Sequence, residues 1–267
     1  MLAALFRVFR LLFVRRIFYR FYKALYSLSL RGIGIRNFES DSLSGEKYFI
    51  DRHISSIQSG IIFDVGANVG AYSKLIRSAN SAVRICAFEP HPKTYLKLSE
   101  NLATSNIETY NIAVGSAAGI LLLFDYADED GSSHASLYKD VIEGIHKGQA
   151  TQHQVQVVAL DAFAISHGIE RVALLKIDTE GHELEVLLGF LQFIRANKVD
   201  LIQFEFNEMN IVSKTSFRDF WELLPNYDFF RMLPDGLVPI EVYNPIHCEI
   251  YAYQNIVARL KLNAGRS

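Results

Sequence analysis

The sequence predicts an α/β fold in which a mainly parallel sheet carries helices on both faces. Segments typical of strands and of helices alternate between residues 61 and 206, and successive strands lie roughly 20 to 30 residues apart. This spacing leaves room for the right-handed crossovers that parallel strands need, because a tight hairpin cannot join them. Polar residues stand at the ends of several of these strands, where open α/β sheets bind their ligands.

The composition favours one large folded unit. The chain has 267 residues, half of them hydrophobic, and a net charge of −2. It can therefore bury a sizeable core, and it lacks the basic excess of proteins that bind nucleic acids. Its two cysteines, Cys86 and Cys248, are too few for a disulfide framework or a cysteine metal cluster. We expect a cytoplasmic protein with neither a nucleic-acid partner nor a metal.

Residues 1–40 differ from residues 41–267, and we treat them as a separate helical segment. Residues 1–36 contain eight basic and no acidic side chains. Apolar stripes occur over residues 2–13 and 17–28, but they fall on opposite sides of one ideal helix, which predicts a bend or two short helices. Charged residues interrupt every apolar run, so that neither a membrane-spanning helix nor a secretory signal is expected.

Three kinds of contact remain open for residues 1–30. A basic, aromatic helix suits the anionic inner surface of a membrane. The same helix could equally pack on the remainder of the chain or on a second subunit. The oligomeric state is left open as well.

The individual elements follow from hydrophobic periodicity and turn residues. In the first half we place a helix over 41–58, strands over 61–65, 83–88 and 107–113, and helices that begin near Ala71 and Pro92. Residues 119–126 and 153–160 also have strand character and could pair as an antiparallel excursion around a polar loop, 127–151. In the second half we place strands over 172–177, 199–206, 237–243 and 248–254, and helices over 180–193 and 216–224.

The first motif that carries chemistry is the strand and turn Phe63-Asp64-Val65-Gly66-Ala67-Asn68-Val69-Gly70. Gly66 and Gly70 permit a sharp turn and a close approach of the backbone to a ligand. Glu89 follows 19 residues after Gly70, at the end of the next strand, where a carboxylate can accept hydrogen bonds from both hydroxyls of a ribose. Together these features indicate a cofactor that contains adenosine.

The charge of the turn separates two classes of cofactor. Dinucleotide-binding loops read G-x-G-x-x-G and present backbone N–H groups to a diphosphate. This loop instead reads D-x-G-x-N-x-G, from Asp64 to Gly70 with Asn68 at its fifth position. Asp64 would repel a phosphate and suit a sulfonium, which favours S-adenosylmethionine over NAD. Asn111 and Ile112 are expected to line the adenine pocket. Alternatively, Asp64 only caps the next helix, and strand-end packing explains Asn111 and Ile112.

The second motif, Leu174 to Glu183, contains the end of the predicted strand 172–177 and leads into a helix. Lys176 and Asp178 lie two residues apart on the strand and should point to the same side of the sheet. Glu180 is expected to open the helix, where a negative charge is favoured, and Glu183 to lie one turn further on the same face. Three carboxylates and one ammonium would then converge beside the cofactor; the alternative is a salt-bridged helix cap.

These motifs together resemble the FkbM-type S-adenosylmethionine-dependent methyltransferases. The resemblance rests on residues 63–70, Phe88-Glu89-Pro90, Leu160-Asp161 and residues 175–183. It implies a Rossmann-like class I methyltransferase fold, with S-adenosylmethionine as the cofactor. It also implies methyl transfer to a hydroxyl oxygen of a sugar, a glycolipid or a polyketide-like metabolite, and it implies nothing about either end of the chain.

Methyl transfer to an alcohol needs a group that accepts the hydroxyl proton. We expect Asp178 to be this catalytic base, with Lys176 and Glu180 beside it, and we keep His134 of the polar loop as the second candidate. The expected contacts of the methyl acceptor are His134, Glu183 and Glu205.

Three other interpretations stay open. Asp178, Glu205 and Asn207 offer the oxygen ligands of a divalent cation, although we expect no metal. An NAD-dependent oxidoreductase would need a loop that accepts phosphate, against which Asp64 argues. A noncatalytic binding protein recruited to a membrane would keep the fold without the reaction.

Overall fold

The computed structural model describes residues 2–127, 131, 135–145 and 147–262. Its strands, in chain order, are β1 Ile61–Val65, β2 Arg84–Phe88, β3 Glu108–Tyr110, β4 Ala113–Val114, β5 Gly119–Tyr126, β6 Ala150–Val158, β7 Val172–Ile177, β8 Val199–Phe206, β9 Tyr227–Leu233, β10 Gly236–Ile240 and β11 Gln254–Leu260. Its α-helices are α1 Leu2–Phe13, α2 Tyr19–Gly32, α3 Asp41–Ser44, α4 Glu46–Phe49, α5 Ala71–Ala79, α6 Pro92–Leu102, α7 Leu160–Ser166, α8 Glu183–Leu188, α9 Leu191–Arg195, α10 Met209–Val212, α11 Phe217–Leu223 and α12 Pro245–Cys248.

Within these residues the central sheet has eight strands in the order β10-β9-β11-β8-β7-β1-β2-β3. The strands β3, β2, β1, β7 and β8 are parallel neighbours, whereas β11 pairs with β8 and β9 in antiparallel fashion. The chain first moves from β1 to β2 and β3, and it later returns to the other side of β1 as β7 and β8. The order therefore reverses between β1 and β7, which is where open sheets bind ligands.

Apolar clusters cover both faces of the sheet. Alternate side chains of a strand point to opposite faces, so Phe63 and Leu175 pack against α7, α8 and α11, whereas Ile62 and Leu174 pack against α4 and α5. The predicted α/β fold with a mainly parallel sheet and helices on both faces is confirmed.

The predicted third strand is divided between two sheets. β3 ends at Tyr110, and after Asn111 and Ile112 the chain continues as β4, which pairs with β6 in a second sheet of order β4-β6-β5. The side-chain amide of Asn111 donates to the carbonyl oxygens of Glu89 and Pro90, at 2.8 and 3.0 Å. It thereby joins the chain at this bend to the end of β2. The antiparallel excursion itself, β5 with β6, is confirmed.

The prediction of one continuous helix over residues 180–193 is wrong, because the helix begins later and is divided in two. Glu180 has a positive φ of 52° and lies in a loop, and α8 begins only at Glu183. The helix also stops before Gly189, where an added Cβ would lie 2.0 Å from the carbonyl oxygen of Gly115. The close approach of these two backbones separates α8 from α9.

The chain ends also depart from expectation. Residues 41–58 form two short helices, α3 and α4, and a π-helical turn at Ile50–Ile54 instead of one helix. Near the C-terminus β9 had not been predicted, and the last strand is Gln254–Leu260 instead of 248–254. The predicted break in residues 1–40 is confirmed, since α1 and α2 are separate. Among the described residues, no helix has the length and apolar character needed to cross a bilayer.

Candidate functional site

A cavity of about 680 Å³ opens at the carboxyl edge of the sheet, at the reversal between β1 and β7. Its walls come from the loops after β1, β2, β7 and β8, from β4 and β5, and from two segments distant in sequence. One segment contains Arg36 and Phe38, and the other contains Ala252 and Tyr253. The cavity wall therefore combines the strand ends that the sequence predicted with two segments that the sequence did not predict.

Glu89 lies at one end of the cavity and is held by the backbone around it. Its Oε2 accepts from the N–H of Asn68 at 2.9 Å, and its Oε1 accepts from the N–H of His91 at 2.8 Å. Only 6% of the residue is exposed, and this burial raises the pKa of Glu89 to about 7. Each oxygen keeps acceptor capacity for a hydroxyl donor at the cavity side.

The turn after β1 forms the floor beside Glu89. Gly66 has a φ of 78°, and a Cβ at this position would lie 1.7 Å from the carbonyl oxygen of Asp178. Asn68 also has a positive φ, 49°, and it lines the cavity together with Ile112. Gly70 serves a different purpose, because a Cβ there would meet Leu98 and Leu102 of α6.

Asp64 is buried behind the cavity and does not line its wall. Its Oδ2 accepts from the hydroxyl of Ser73 at 2.6 Å, and its Oδ1 lies 3.7 Å from the Nζ of Lys176. Lys176 is itself buried, and its Nζ lies 5.1 Å from the ring centroid of Tyr72. Although its own burial opposes the charged form, the nearby carboxylates raise the pKa of Lys176 above its usual value.

Lys176 connects this buried layer to the cavity. Its ammonium lies 3.1 Å from the Oδ2 of Asp178, as expected for two residues on the same side of a strand. The side chain of Asp178 is 39% exposed and lines the cavity. The buried ammonium therefore holds a carboxylate that remains accessible to a ligand.

Glu180 and Glu205 line the cavity next to Asp178. Burial, followed by repulsion from the charges of Asp178 and Glu180, raises the pKa of Glu205 well above its usual range. The side-chain amide of Asn207 donates to Glu205 at 2.5 Å. Among the described residues, no group of three or more His, Cys, Asp or Glu side chains has the arrangement of a metal site.

Glu183 points into the protein instead of into the cavity. Its Oε1 accepts from the N–H of Thr179, the hydroxyl of Thr179 and the N–H of Gly181, and its Oε2 accepts from Asn210. Burial raises the pKa of Glu183 to about 7. This carboxyl holds the loop that carries Asp178 and Glu180. Because Glu180 lies in this loop and α8 begins only at Glu183, the two side chains do not share one face of a helix as expected. His134 lies outside the described residues.

Several lining residues were not predicted from the sequence, and four of them, His182, Arg36, Phe38 and Tyr253, contribute polar or aromatic side chains to the wall. His182 is 7% exposed, and burial lowers its pKa to about 4, which makes it a neutral side chain at physiological pH. At the other end, the rings of Phe38 and Tyr253 meet edge to face at 5.9 Å beside Arg36. Of these four, only His182 lay inside a recognised motif, and tertiary contacts bring the other three to the cavity.

Comparisons with known proteins match this chain to one family. The family model described as the methyltransferase FkbM domain matches residues 64–230. The chain is 32% identical over 153 residues to methyltransferase sdnD of Sordaria araneosa, covering 48% of this chain and 59% of that protein. It is 26% identical over 145 residues to hexuronic acid methyltransferase AglP of Haloferax volcanii, covering 52% and 53%. It is 21% identical over 190 residues to 2-O-methyltransferase NoeI of Sinorhizobium fredii, covering 66% and 76%.

The match to the first two of these relatives spans only about half to three fifths of their length. The match to the family model is broader with respect to this chain, since it runs from the end of β1 into β9 and contains most of the loops that form the cavity. The chain belongs to the FkbM methyltransferase domain family.

Proposed function

We propose that this protein transfers the methyl group of S-adenosylmethionine to a hydroxyl oxygen, with a sugar or glycolipid as the preferred acceptor. The observation that carries the proposal is that Glu89 and the β1 turn line the same cavity as Asp178, Glu180 and Glu205. A donor held at one end and an acceptor at the other would meet above the reversal point of the sheet.

The charge of the cavity fits a cationic donor. Among the described residues that line it, Glu89, Asp178, Glu180, Glu205 and Glu208 are acidic, and Arg36 alone is basic. A nearby sulfonium favours the ionised form of these carboxyl groups and is stabilised by it, whereas those that are ionised would repel a diphosphate. This balance argues against the alternative of an NAD-dependent oxidoreductase.

The residues that would hold S-adenosylmethionine follow from their positions. Glu89 would accept hydrogen bonds from the ribose hydroxyls, Gly66 and Asn68 would pass beneath the nucleoside, and Ile112 would offer an apolar contact to the adenine. When bound, this cofactor supplies an electrophilic methyl group. The contribution of the protein is then mainly to align the acceptor oxygen with it.

The other end of the cavity suits a polyhydroxylated acceptor. Carboxylates and the amide of Asn207 can pair with hydroxyl groups, and the rings of Phe38 and Tyr253 offer an apolar surface for the C–H face of a sugar. The names of two relatives, a hexuronic acid methyltransferase and a 2-O-methyltransferase, support a sugar and an oxygen acceptor.

Asp178 is our choice for the base that receives the hydroxyl proton. Its Oδ2 is held by the Lys176 ammonium at 3.1 Å, which fixes the carboxylate and leaves Oδ1 for the acceptor. Glu205 is the second choice, since it also lines the cavity and can accept a proton when it is ionised. His182 is a weak base at pKa about 4 and is better suited to shape the cavity wall.

The experiment is methyl transfer from labelled S-adenosylmethionine to hydroxylated sugars and glycolipids. We expect label in the acceptor that resists mild alkali, because a methyl ether is stable whereas a methyl ester is hydrolysed. Alkali-labile label would refute a hydroxyl acceptor, and the absence of both cofactor binding and transfer would refute the proposal.

The residue assignment is tested with Asp178→Asn, which should lower turnover by about 10²- to 10⁴-fold, the usual contribution of a general base. Cofactor affinity should change much less. The matched control is Asp228→Asn, which removes an exposed carboxylate of β9 outside the cavity and should leave turnover unchanged. If Asp178→Asn keeps full turnover while Glu205→Gln loses it, Glu205 is the base.

A further inference from the structure

Aromatic side chains of α1, of the turn after it and of α2 contact one another, and we call these contacts the aromatic seam. Phe9 lies 6.1 Å from Tyr22, and Phe13 lies 5.8 Å from Phe18, between ring centroids. The seam joins the end of α1 to the beginning of α2. The two helices therefore form a pair, which we call the N-terminal helix pair, residues 2–32.

Much of the apolar surface of this pair is uncovered. From residue 6 onward, Leu30 is the first side chain of the chain that is buried. Ile17, Phe21 and Leu28 are 82%, 61% and 67% exposed. Isolated exposed apolar side chains are ordinary, but a run of large ones on adjacent turns marks a surface that meets another apolar phase.

The charged side chains of the N-terminal helix pair are all basic. Arg7, Arg10, Arg15, Arg16, Arg20 and Lys23 are all exposed, and none of them forms an ion pair with another described residue. Residues 37–267, by contrast, contain 19 basic and 29 acidic side chains. On α2, Arg20 and Lys23 lie opposite the stripe that contains Phe21 and Leu25.

We propose that the N-terminal helix pair docks on an anionic lipid bilayer, such as the cytoplasmic leaflet of a cell membrane. The apolar face enters the boundary between headgroups and acyl chains, and the arginines and the lysine contact the anionic headgroups. This inference concerns binding and does not depend on the proposed methyl transfer.

A second copy of the chain fits this surface less well. In a twofold dimer the same patch would face itself, which would bring two sets of six unpaired cations together. A bilayer that contains anionic lipids offers both an apolar interior and the opposite charge.

Docking would also affect what reaches the cavity. Arg36 and Phe38, which line the cavity, follow the end of α2 at Gly32 by only four and six residues. This part of the cavity wall would therefore lie near the headgroup layer, where a glycolipid presents its sugar.

The test is flotation of the whole protein with vesicles of phosphatidylcholine alone or of phosphatidylcholine mixed with phosphatidylglycerol. We expect binding to the anionic vesicles that weakens as salt is added. The variant Arg10→Gln/Arg16→Gln/Arg20→Gln should bind roughly 100-fold less tightly, from about fivefold for each basic side chain removed. Phe21→Ser/Leu25→Ser should weaken binding to both kinds of vesicle.

The matched control is Arg52→Gln/Lys74→Gln/Lys97→Gln, which removes three exposed basic side chains elsewhere and should bind like the original protein. All variants alter exposed side chains, and circular dichroism melting curves establish that they fold. Equal binding to neutral and anionic vesicles would overturn the proposal, as would an unchanged arginine variant. A dimer in sedimentation that is lost with Phe21→Ser/Leu25→Ser, without vesicle binding, would assign the surface to a second copy instead.

Discussion

Replacement of Glu89 by glutamine gives a pH-dependent test of the cofactor end of the cavity. Burial raises the pKa of this carboxyl to about 7, although the N–H groups of Asn68 and His91 donate to it. Ribose hydroxyls would donate to the ionised form and so lower the pKa in the complex. Below about pH 7, binding must therefore release a proton from Glu89, and affinity should rise with pH up to that point and then level off.

The magnitude follows from this linkage. Loss of one proton on binding weakens affinity by about tenfold for each pH unit below 7, or about 30-fold at pH 5.5. At about pH 8, Glu89→Gln loses hydrogen bonds to a charged acceptor, which are worth about 1.5–3 kcal/mol, or about 10- to 150-fold in Kd. At about pH 5.5 the same substitution should cost about fivefold or less, because the original carboxyl is already protonated in the free protein.

Calorimetric titration with S-adenosylhomocysteine isolates this effect, since the product has the same ribose but no sulfonium charge to interact with Asp178 or Glu205. The control is Glu183→Gln, because the pKa of Glu183 is also about 7 but the side chain does not line the cavity. It should retain the pH dependence of the original protein. A Kd that does not change between about pH 5.5 and 8, or a Glu89→Gln effect of constant size over this range, would refute the role of Glu89.

Three further expectations concern the framework of the site. Gly66→Ala should abolish cofactor binding and lower thermal stability, because its Cβ would collide with the Asp178 carbonyl, whereas Gly119→Ala, which has open space around it, should change neither. In urea unfolding, Glu183→Ala should cost at least about 3 kcal/mol by stranding buried donors, and Glu183→Gln about 1 kcal/mol, because one amide oxygen can still accept from Thr179 and Gly181. The folded-state pKa of Glu183 exceeds its usual value of 4.5, so its protonation stabilises the fold at low pH, and this contribution is lost as pH rises towards 7. Between about pH 4.5 and 7, this group should lower the free energy of unfolding by about 1.4 kcal/mol per pH unit. Glu183→Gln should remove this pH dependence. Similar losses with alanine and glutamine would contradict the hydrogen-bond account.

The sequence located the sheet edge well because strand ends are local features. A short β-prone run followed by a glycine turn defined β1, and an acidic residue one crossover later defined the end of β2. Phe38 and Tyr253 illustrate the opposite case. They are more than two hundred residues apart, and the contact between their rings depends on where β11 joins the sheet, which periodicity does not encode.

Glu180 shows how a local rule can fail. An acidic residue is favoured at a helix N-terminus, and we therefore predicted a helix that starts at residue 180. The following Gly181 has a φ of 101°, and a glycine directly after the expected start was the available signal that the chain turns further before the helix begins.

Acidic residues near strand ends also differ in how many hydrogen bonds their carboxylate oxygens already accept from the protein. This difference distinguishes candidate ligand contacts from structural groups. A carboxylate has about four acceptor sites. Glu183 fills them with three donors on Oε1 and one on Oε2, and the charge of Asp64 is balanced by Lys176 behind the cavity wall. Glu89 receives one donor on each oxygen and faces the cavity. Unfilled acceptor capacity at a cavity wall, which Asp178 shares through its Oδ1, is therefore the feature on which we base the proposed ligand contact of Glu89.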